Sequence, residues 1–210
     1  MRDIEMFTTS NGIASLILRS IPTQQTAYIH LQSSVTPEEL LKECVAFCRS
    51  AGAEQIFATG HSFLESYPLF TTVCSLRGTV SDVGESDCCL FPVTEKTWPE
   101  FCAIYNEKMA SVPTAQMLRL LDREEYEKDS YFVHKDGAVM GIGILRNNRI
   151  DAIAACRKGA GRDVLAALCR LICGEEITLE VAENNHKAMA LYTRCGFLKT
   201  GETARWYKIL

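Results

Sequence analysis

The sequence lacks the marks of membrane, secreted and nucleic-acid-binding proteins. No apolar run approaches the roughly 20 residues that span a bilayer, and the start, Met1 to Glu5, has no signal-peptide hydrophobic region. Without such segments we expect a cytoplasmic protein with no membrane partner. The 22 Lys and Arg residues stand against 26 Asp and Glu, which gives a net charge of −4. No nucleic-acid partner is therefore expected, and the acidic balance slightly favours an amine substrate.

Metal-binding and disulfide patterns are also missing. The ten cysteines form no Cys-x-x-Cys pair, and without an export signal we expect reduced thiols. Cys44 with Cys48, and Cys169 with Cys173, are four residues apart in helical patterns, so each pair is predicted to share a helix face in a core. No metal site is predicted, because the histidines form no ligand spacing: His30, His61, His134 and His186.

What the sequence contains is enough apolar material for a fold in one large or two small domains. The chain has 210 residues, and 47% of them are hydrophobic. Residues 78–87 are rich in Gly, Ser, Thr and Asp and predict a linker. Before the linker the pattern predicts strand, strand, helix, strand, helix, strand. These elements are predicted at 13–20, 27–33, 37–52, 55–59, 61–67 and 71–77.

The pattern after the linker ends in the same order. A strand over 88–93 is followed by a helix that Thr94 caps, and then by a second helix that begins at Pro113 and continues through Tyr126. An Asp-Gly pair and an Asn-Asn pair predict turns between the strands that follow. Those strands are predicted over 131–134, 138–145 and 150–155, followed by a helix over 164–172, a strand over 177–181, a helix over 188–195 and a strand over 199–210.

The two halves also share a short sequence signal that suggests a duplication. The first half lacks the glycines that the second half carries, because Glu38 and Leu40 stand where Gly159 and Gly161 occur. A carboxylate and a bulky side chain there would oppose phosphate binding, so we expect the first half to be structural. Shifting the first half by 121 positions places Cys48-Arg49 on Cys169-Arg170, Glu54 on Glu175, and Ile56 on Ile177.

A basic loop, Cys-Arg-Lys-Gly-Ala-Gly-Arg, opens the helix predicted in the second half. The N-terminus of a helix offers unpaired N–H donors and partial positive charge, so backbone amides of this loop can bind an anion. Glycines allow the anion a close approach, and neighbouring positive charges disfavour a helix start unless an anion offsets them. We therefore predict a phosphate-bearing cofactor at Arg157, Lys158, Gly159, Ala160, Gly161 and Arg162.

A second motif follows at residues 185–197, with Asn185, Ala188, Leu191, Tyr192, Gly196 and Phe197 in the pattern Asn-x-x-Ala-x-x-Leu-Tyr-x-x-x-Gly-Phe. Together with the glycine loop, this motif resembles the GNAT superfamily of acyl-CoA-dependent N-acetyltransferases. The family's loop reads Gln/Arg-x-x-Gly-x-Gly/Ala, and here Cys156 stands at its first position. The resemblance covers roughly residues 88–210 and is specific from Cys156 onward.

The resemblance implies a GNAT fold of the α/β (α+β) class, with a mixed, mainly antiparallel central sheet flanked by helices. We predict a catalytic acetyltransferase domain over 85–210, preceded by a smaller, degenerate GNAT-like half over 1–84. The cofactor implied is acetyl-CoA, from which an acetyl group would pass to a primary amine by direct attack. The amine could belong to a small molecule or a peptide, and the oligomeric state is open, with a homodimer as one option.

The resemblance also implies roles for single residues. Tyr192 matches the tyrosine that gives its proton to the leaving coenzyme A thiolate. Glu180, in the Leu-Glu-Val strand before that helix, matches the glutamate that looks to be the general base in ribosomal-protein N-terminal acetyltransferases of this superfamily. Asp151, on the strand before the loop, is the second candidate base. Backbone N–H groups of that strand polarise the acetyl carbonyl in the family, which places Ile153 and Ala154 at the cofactor.

Other interpretations stay open. Asn185 is expected to cap the helix that carries Tyr192, and it is also a candidate contact of the cofactor. The protein could instead be a non-catalytic acyl-CoA-binding or partner-binding module. Nucleotide binding is weaker, because the loop lacks the Gly-Lys-Ser/Thr ending of a P-loop and has Val164 where a dinucleotide fold needs glycine. The helices over 94–128 carry no readable specificity motif, so peptide N-termini, polyamines and amino-sugar drugs are all possible acceptors.

Overall fold

The computed structural model describes all residues from 1 to 210, which form two compact units. The N-terminal unit comprises Met1–Val73 together with Glu202–Leu210, and the C-terminal unit comprises Cys74–Gly201. No helix in either unit has both the length and the apolar character needed to cross a membrane. The domain boundary predicted between residues 84 and 85 stays a prediction.

The chain forms eleven strands and seven α-helices, with short 3-10 helices at Ser62–Ser66, Leu120–Asp122 and Glu127–Asp129. The α-helices are α1 Ile21–Gln24, α2 Pro37–Ser50, α3 Val80–Val83, α4 Trp98–Met109, α5 Arg123–Tyr126, α6 Gly161–Cys169 and α7 His186–Arg194. The strands are β1 Ile4–Thr9, β2 Gly12–Ile17, β3 Thr26–Ser34, β4 Gln55–Thr59, β5 Leu69–Thr79, β6 Cys89–Pro92, β7 Ser130–Lys135, β8 Ala138–Arg146, β9 Arg149–Ala155, β10 Glu176–Ala182 and β11 Leu198–Lys208.

The N-terminal unit carries the strand order β1-β2-β3-β4-β11. Its neighbours are antiparallel except β3 and β4, which are parallel and joined through α2. Pro37 occupies the first turn of α2, and Glu38 and Glu39 follow it, as expected where an acidic first turn complements the partial positive charge of the helix start. The helix buries one stripe against the strands: Leu40, Leu41, Cys44 and Cys48.

The C-terminal unit carries the order β5-β10-β9-β8-β7-β6. Strands β10 and β9 pair in parallel, whereas the pairs β9–β8, β8–β7 and β7–β6 are antiparallel. The predicted mixed, mainly antiparallel sheet with flanking helices is therefore confirmed. The boundary between the units divides two strands: residues 74–79 of β5 belong to the C-terminal unit, and residues 202–208 of β11 belong to the N-terminal unit.

The two faces of the C-terminal sheet pack against different helices. Ile150 and Leu179 lie in one apolar cluster with Leu165 of α6 and residues of α7. Ala152 belongs to another cluster, which contains Phe101 and the other buried side chains of α4. Side chains alternate along a strand, so Arg149 and Glu180, which adjoin Ile150 and Leu179, face away from α6. Ala152 lies on that same face because β9 has one extra residue at Asp151. This face carries the polar side chains described below.

The two parallel strand pairs have equivalent registers. In the N-terminal unit Tyr28 faces Phe57, and in the C-terminal unit Arg149 faces Thr178. The shift of 121 positions that aligned the two halves in sequence carries the first pair onto the second. The next pair along the strands is related by the same shift. The structure is thus compatible with a second, GNAT-like N-terminal half.

The predicted helix from Pro113 through Tyr126 is wrong for most of its length. Thr114 has a positive φ of 64°, and regular α-helix returns only at α5. The side chain of Asn106 donates to the Leu118 carbonyl and accepts from the Leu118 N–H, both at 2.8 Å. These bonds use the peptide groups that a continuous helix would need for its own ladder.

Three smaller expectations also differ from the structure. The N-cap of α4 is Thr97, because the Thr94 carbonyl instead accepts from the Thr97 and Trp98 N–H groups in a turn. The predicted linker over 78–87 contains α3, whose Val83 is fully buried. Strand β1 carries no clear alternation of apolar residues and was not predicted.

The two predicted cysteine pairs have different outcomes. Cys44 and Cys48 are both buried in α2, as expected. Cys169 is buried at the end of α6, but Cys173 lies beyond that helix and is exposed. The helix ends earlier than its apolar pattern indicated, so the second pair does not share one face.

Candidate active site

Strands β9 and β10 separate soon after they begin. They pair at only two places, Arg149 with Thr178 and Ile150 with Leu179, although both strands continue for several residues. In the N-terminal unit, β3 and β4 stay paired at the equivalent next place. Backbone N–H and C=O groups need partners when they are withdrawn from water. The edge of β9 beyond Ile150 can therefore hydrogen-bond to a ligand placed between the strands.

A β-bulge explains where the separation begins. On the other side of β9, Ile144 of β8 faces Ala152 and Leu145 faces Ile150, which leaves Asp151 as an extra residue. A bulge bends its strand and redirects the side chain of the extra residue. Strand β9 consequently turns away from β10 at Asp151. Strand β9 contains no proline, so the bulge forms without one.

The two loop glycines serve different purposes. Gly159 has a φ of +85°, a conformation that favours glycine, and a Cβ atom there would meet nothing within 4 Å. Gly161 begins α6, and a Cβ atom there would lie 3.1 Å from the Leu191 Cδ2 atom of α7. Gly159 thus shapes the loop and leaves open space beside it, while Gly161 lets α6 start close to α7.

The start of α6 presents unpaired donors. The Val164 N–H is the first in the helix to bond within it, to the Ala160 carbonyl at 2.9 Å. The N–H groups of the three helical residues before Val164 have no backbone acceptor. Donors in this arrangement suit the oxygens of a phosphate. The loop and helix start therefore fit the pyrophosphate of coenzyme A.

The side chains of the loop divide into free and engaged groups. Arg157 and Lys158 are exposed and can add attraction for a phosphate. The Arg162 Nε atom donates to the Val83 carbonyl at 3.1 Å, which draws its guanidinium toward α3, so its backbone N–H is the group that remains for an anion. Cys156 donates its N–H to the Met140 carbonyl, and burial raises the pKa of its thiol.

The two candidate bases are linked by one arginine. The Arg149 Nε atom lies 3.0 Å from Asp151 Oδ1, and its Nη2 atom lies 3.3 Å from Glu180 Oε2. The other Asp151 oxygen lies 3.1 Å from Arg146 Nε. Both Asp151 oxygens thus face guanidinium groups, whereas Glu180 Oε1 has no ion pair. Of the two candidate bases, Glu180 is therefore the one with an oxygen outside any ion pair.

A cleft of about 500 Å³ opens beside Asp151 and Arg149. Its walls come from the turn between β8 and β9 and from the first residues of β9 and β10, so it adjoins the point where those strands separate. The size suits a small molecule or the end of a peptide. Its lining residues are Arg146, Asn147, Asn148, Arg149, Asp151 and Thr178.

Tyr192 lies in α7 with a largely buried ring. Its side chain packs against Phe197, with ring centroids 5.5 Å apart, in the cluster that also contains Leu165. Burial, with a smaller contribution from Cys195, raises the pKa of the Tyr192 phenol above its ordinary value. The phenol is therefore protonated throughout the neutral range. It can donate a proton but is a poor base.

The remaining predicted residues lie on the same elements. Asn185 caps α7, with its Oδ1 atom accepting from the Ala188 N–H at 3.3 Å, as the sequence predicted. Ile153 and Ala154 lie on β9 beyond the bulge, where the strand no longer pairs with β10. Their role at an acyl carbonyl stays a prediction.

Sequence reasoning missed Arg146 and Arg149. Arginines at strand ends are common, and nothing in composition marks these two. One signal was present for Arg149, because Arg149 and Asp151 are two residues apart on a strand and so tend to share a face. The ion pair with Glu180 could not be read, because it depends on the register between β9 and β10.

The split parallel strands, the donor-rich helix start and the adjacent polar cleft together define an acyltransferase. Residues 92–197, half of the chain, match the acetyltransferase (GNAT) family. The chain therefore belongs to the GNAT acetyltransferase family, as the sequence motifs indicated. A search of curated proteins found no significant match.

Solved structures share this fold at low sequence identity. A functionally unknown conserved protein from Staphylococcus epidermidis has a TM-score of 0.62 and 12% identity over 96% of this chain and 91% of its own. A GCN5-related N-acetyltransferase from Sphaerobacter thermophilus has a TM-score of 0.58 and 13% identity over 93% and 75%. Another from Anabaena variabilis has 0.62 and 12% over 87% and 54%. These similarities show the fold alone.

Proposed function

We propose that this protein is an N-acetyltransferase that moves an acetyl group from acetyl-CoA to a primary amine by direct attack. The observation that carries the proposal is the separation of β9 from β10 directly after Ile150 and Leu179, on a sheet whose next helix begins with free N–H donors. The equivalent strands of the N-terminal unit stay paired, and their helix begins with Pro37, Glu38 and Glu39. We assign catalysis to residues 85–210 and treat residues 1–84 as a degenerate half.

The chain's own groups supply binding and proton transfer, while acetyl-CoA supplies the thioester. N–H groups at the start of α6 hold the pyrophosphate, and the edge of β9 near Ile153 and Ala154 accommodates the acyl end. Asn185 keeps α7 in place beside the cofactor. Glu180 accepts the proton of the amine at Oε1, directly or through water. Tyr192 donates its phenolic proton to the departing thiolate sulfur.

Gly159→Ala is expected to weaken coenzyme A binding by about tenfold, because alanine is strained at positive φ and would reshape the loop. The affinity would be measured by isothermal titration calorimetry with coenzyme A. Gly137→Ala is the matched control, since Gly137 also has a positive φ and open space around it but lies in the β7–β8 turn. Equal coenzyme A affinity in the two variants would show that the loop does not bind it.

Tyr192→Phe is expected to lower kcat by about 10- to 100-fold and to leave coenzyme A affinity unchanged. Phenylalanine keeps the buried ring against Phe197 and removes only the hydroxyl. Thiol release from acetyl-CoA measures kcat, and a buried tyrosine elsewhere, Tyr105→Phe, serves as the control. A wild-type rate in Tyr192→Phe would remove Tyr192 from the mechanism.

The amine acceptor is proposed to reach the carboxylates through the cleft beside Arg149 and Thr178. Mass spectrometry of the purified protein for co-bound coenzyme A tests the cofactor. Thiol release with a short peptide bearing a free N-terminus, with spermidine and with kanamycin then tests the acceptor class. If the protein bound coenzyme A but transferred acetyl to none of these amines, the result would contradict the proposed activity and favour a non-catalytic acyl-CoA-binding module. If ATP but not acetyl-CoA raised the melting temperature of the protein, the assignment of acetyl-CoA as the cofactor would be wrong.

A further inference from the structure

Arg149 occupies a special place between the carboxylates of the proposed site. It belongs to the first of the two residue pairs that join β9 to β10, opposite Thr178. Its guanidinium reaches Asp151 on its own strand and Glu180 on the neighbouring strand. Beyond Ile150 and Leu179 the strands are no longer held together by backbone pairing. The direction of the Glu180 side chain therefore depends on side-chain contacts.

The far side of this link is a group of ion pairs. Asp151 lies between Arg149 and Arg146, with one guanidinium facing each oxygen, although the Arg146 Nε atom makes no hydrogen bond. Arg146 is in turn held over the Tyr126 ring, with its guanidinium carbon 4.4 Å from the centroid, and lies 3.7 Å from Asp129. The contacts that hold Asp151 and Arg146 therefore come from β8, from β9 and from the segment before β7.

We propose that Arg149 is a positioning residue that holds Glu180 through Oε2 and leaves Oε1 directed to the amine. This rests on the proposed function, in which Glu180 is the base. Asp151 then serves as the anchor of Arg149, which separates the roles of the two carboxylates. A base that is held within hydrogen-bond distance of the proton it removes increases kcat, because small displacements slow proton transfer.

The charges around Glu180 fit this role. Arg149 is 52% exposed and Glu180 34%, so their ion pair contributes little to folding stability. Strand β10, which carries Glu180, has a second exposed ion pair, in which Glu176 of β10 lies 3.4 Å from Arg77 of β5. It lies at the opening residue of β10, away from the two carboxylates. Arg77→Met is therefore a matched control for Arg149→Met.

The test compares Arg149→Met, Arg149→Lys and Arg77→Met by thiol release, with the fastest of the three named amines as the probe. Arg149→Met is expected to lower kcat about tenfold while the KM for acetyl-CoA stays within about twofold, and Arg149→Lys to restore part of the loss. Arg77→Met is expected to match the wild type. A raised KM for the amine with an unchanged kcat would overturn the positioning role, because it would make Arg149 a substrate-binding residue.

A double variant tests whether Arg149 acts through Glu180. If it does, adding Arg149→Met to Glu180→Gln lowers the rate by less than about twofold, since the group being positioned is already lost. The same tenfold loss in both backgrounds would contradict the proposal. The proposed function is tested separately by coenzyme A binding and wild-type transfer. Normal transfer by Arg149→Met would contradict only the positioning role.

Discussion

Glu180→Gln is expected to lower kcat/KM for the amine by about 10²- to 10⁴-fold, which is the usual contribution of a general base. Glutamine preserves the shape and polarity of the side chain but cannot accept the proton of an ammonium group. Coenzyme A affinity should not change, because Glu180 lies on β10 and not at the start of α6. Thiol release across a range of amine concentrations measures the effect.

Two variants on the same strand pair make this experiment specific. Glu176→Gln removes a carboxylate from the start of β10 and is expected to match the wild type. Asp151→Asn removes the other candidate base, and we expect about a tenfold loss because it anchors Arg149. If Asp151→Asn lowered kcat/KM more than Glu180→Gln does, Asp151 would be the base and Glu180 would not.

The second large effect concerns stability in alkali. Burial raises the pKa of Cys44 to about 12, Cys48 to about 11, Cys102 to about 11 and Cys169 to about 12. In the unfolded chain these thiols ionise near their ordinary value of 9.0. Between these values the unfolded state binds fewer protons than the folded state, so the free energy of unfolding falls as pH rises. At about pH 10 the loss is roughly 1 kcal/mol per thiol, or about 4 kcal/mol for the four.

Urea unfolding under reducing conditions at neutral pH and at about pH 10 measures this loss. The double variant Cys44→Ala with Cys48→Ala should lose about 2 kcal/mol less than the wild type between the two pH values, whatever its stability at neutral pH. The matched control is a second double variant in which the exposed Cys89 and Cys173 are replaced with alanine. An identical pH dependence in all three proteins would show that the buried thiols do not titrate as stated.

The proposed coenzyme A site could be predicted from the sequence because its parts are close together along the chain. A glycine loop and the helix that follows it are contiguous, so spacing alone places donors at the helix start. Asn185 likewise caps the helix that carries Tyr192 within a few residues. Helical periodicity predicted α2 and α6, because a buried stripe needs only neighbours on one helix face. The loop between α4 and α5 was misread, because Asn106 binds Leu118 across a distance that periodicity does not encode.

The arrangement of the strands around the two candidate bases could not be predicted from the sequence. The bulge at Asp151 depends on the register between β8 and β9, and the separation of β9 from β10 depends on that bulge.

The sequence by itself therefore determined the family, and it predicted the coenzyme A loop and the candidate acid and bases, since each rests on residues a short distance apart along the chain. The tertiary structure alone decided which carboxylate keeps a free oxygen. Arg146 and Arg149 face Asp151 from both sides, and Arg149 meets Glu180 only because Arg149 is paired with Thr178 across the strands. Ion pairs between strands follow from register, and register is set by the packing of the whole sheet.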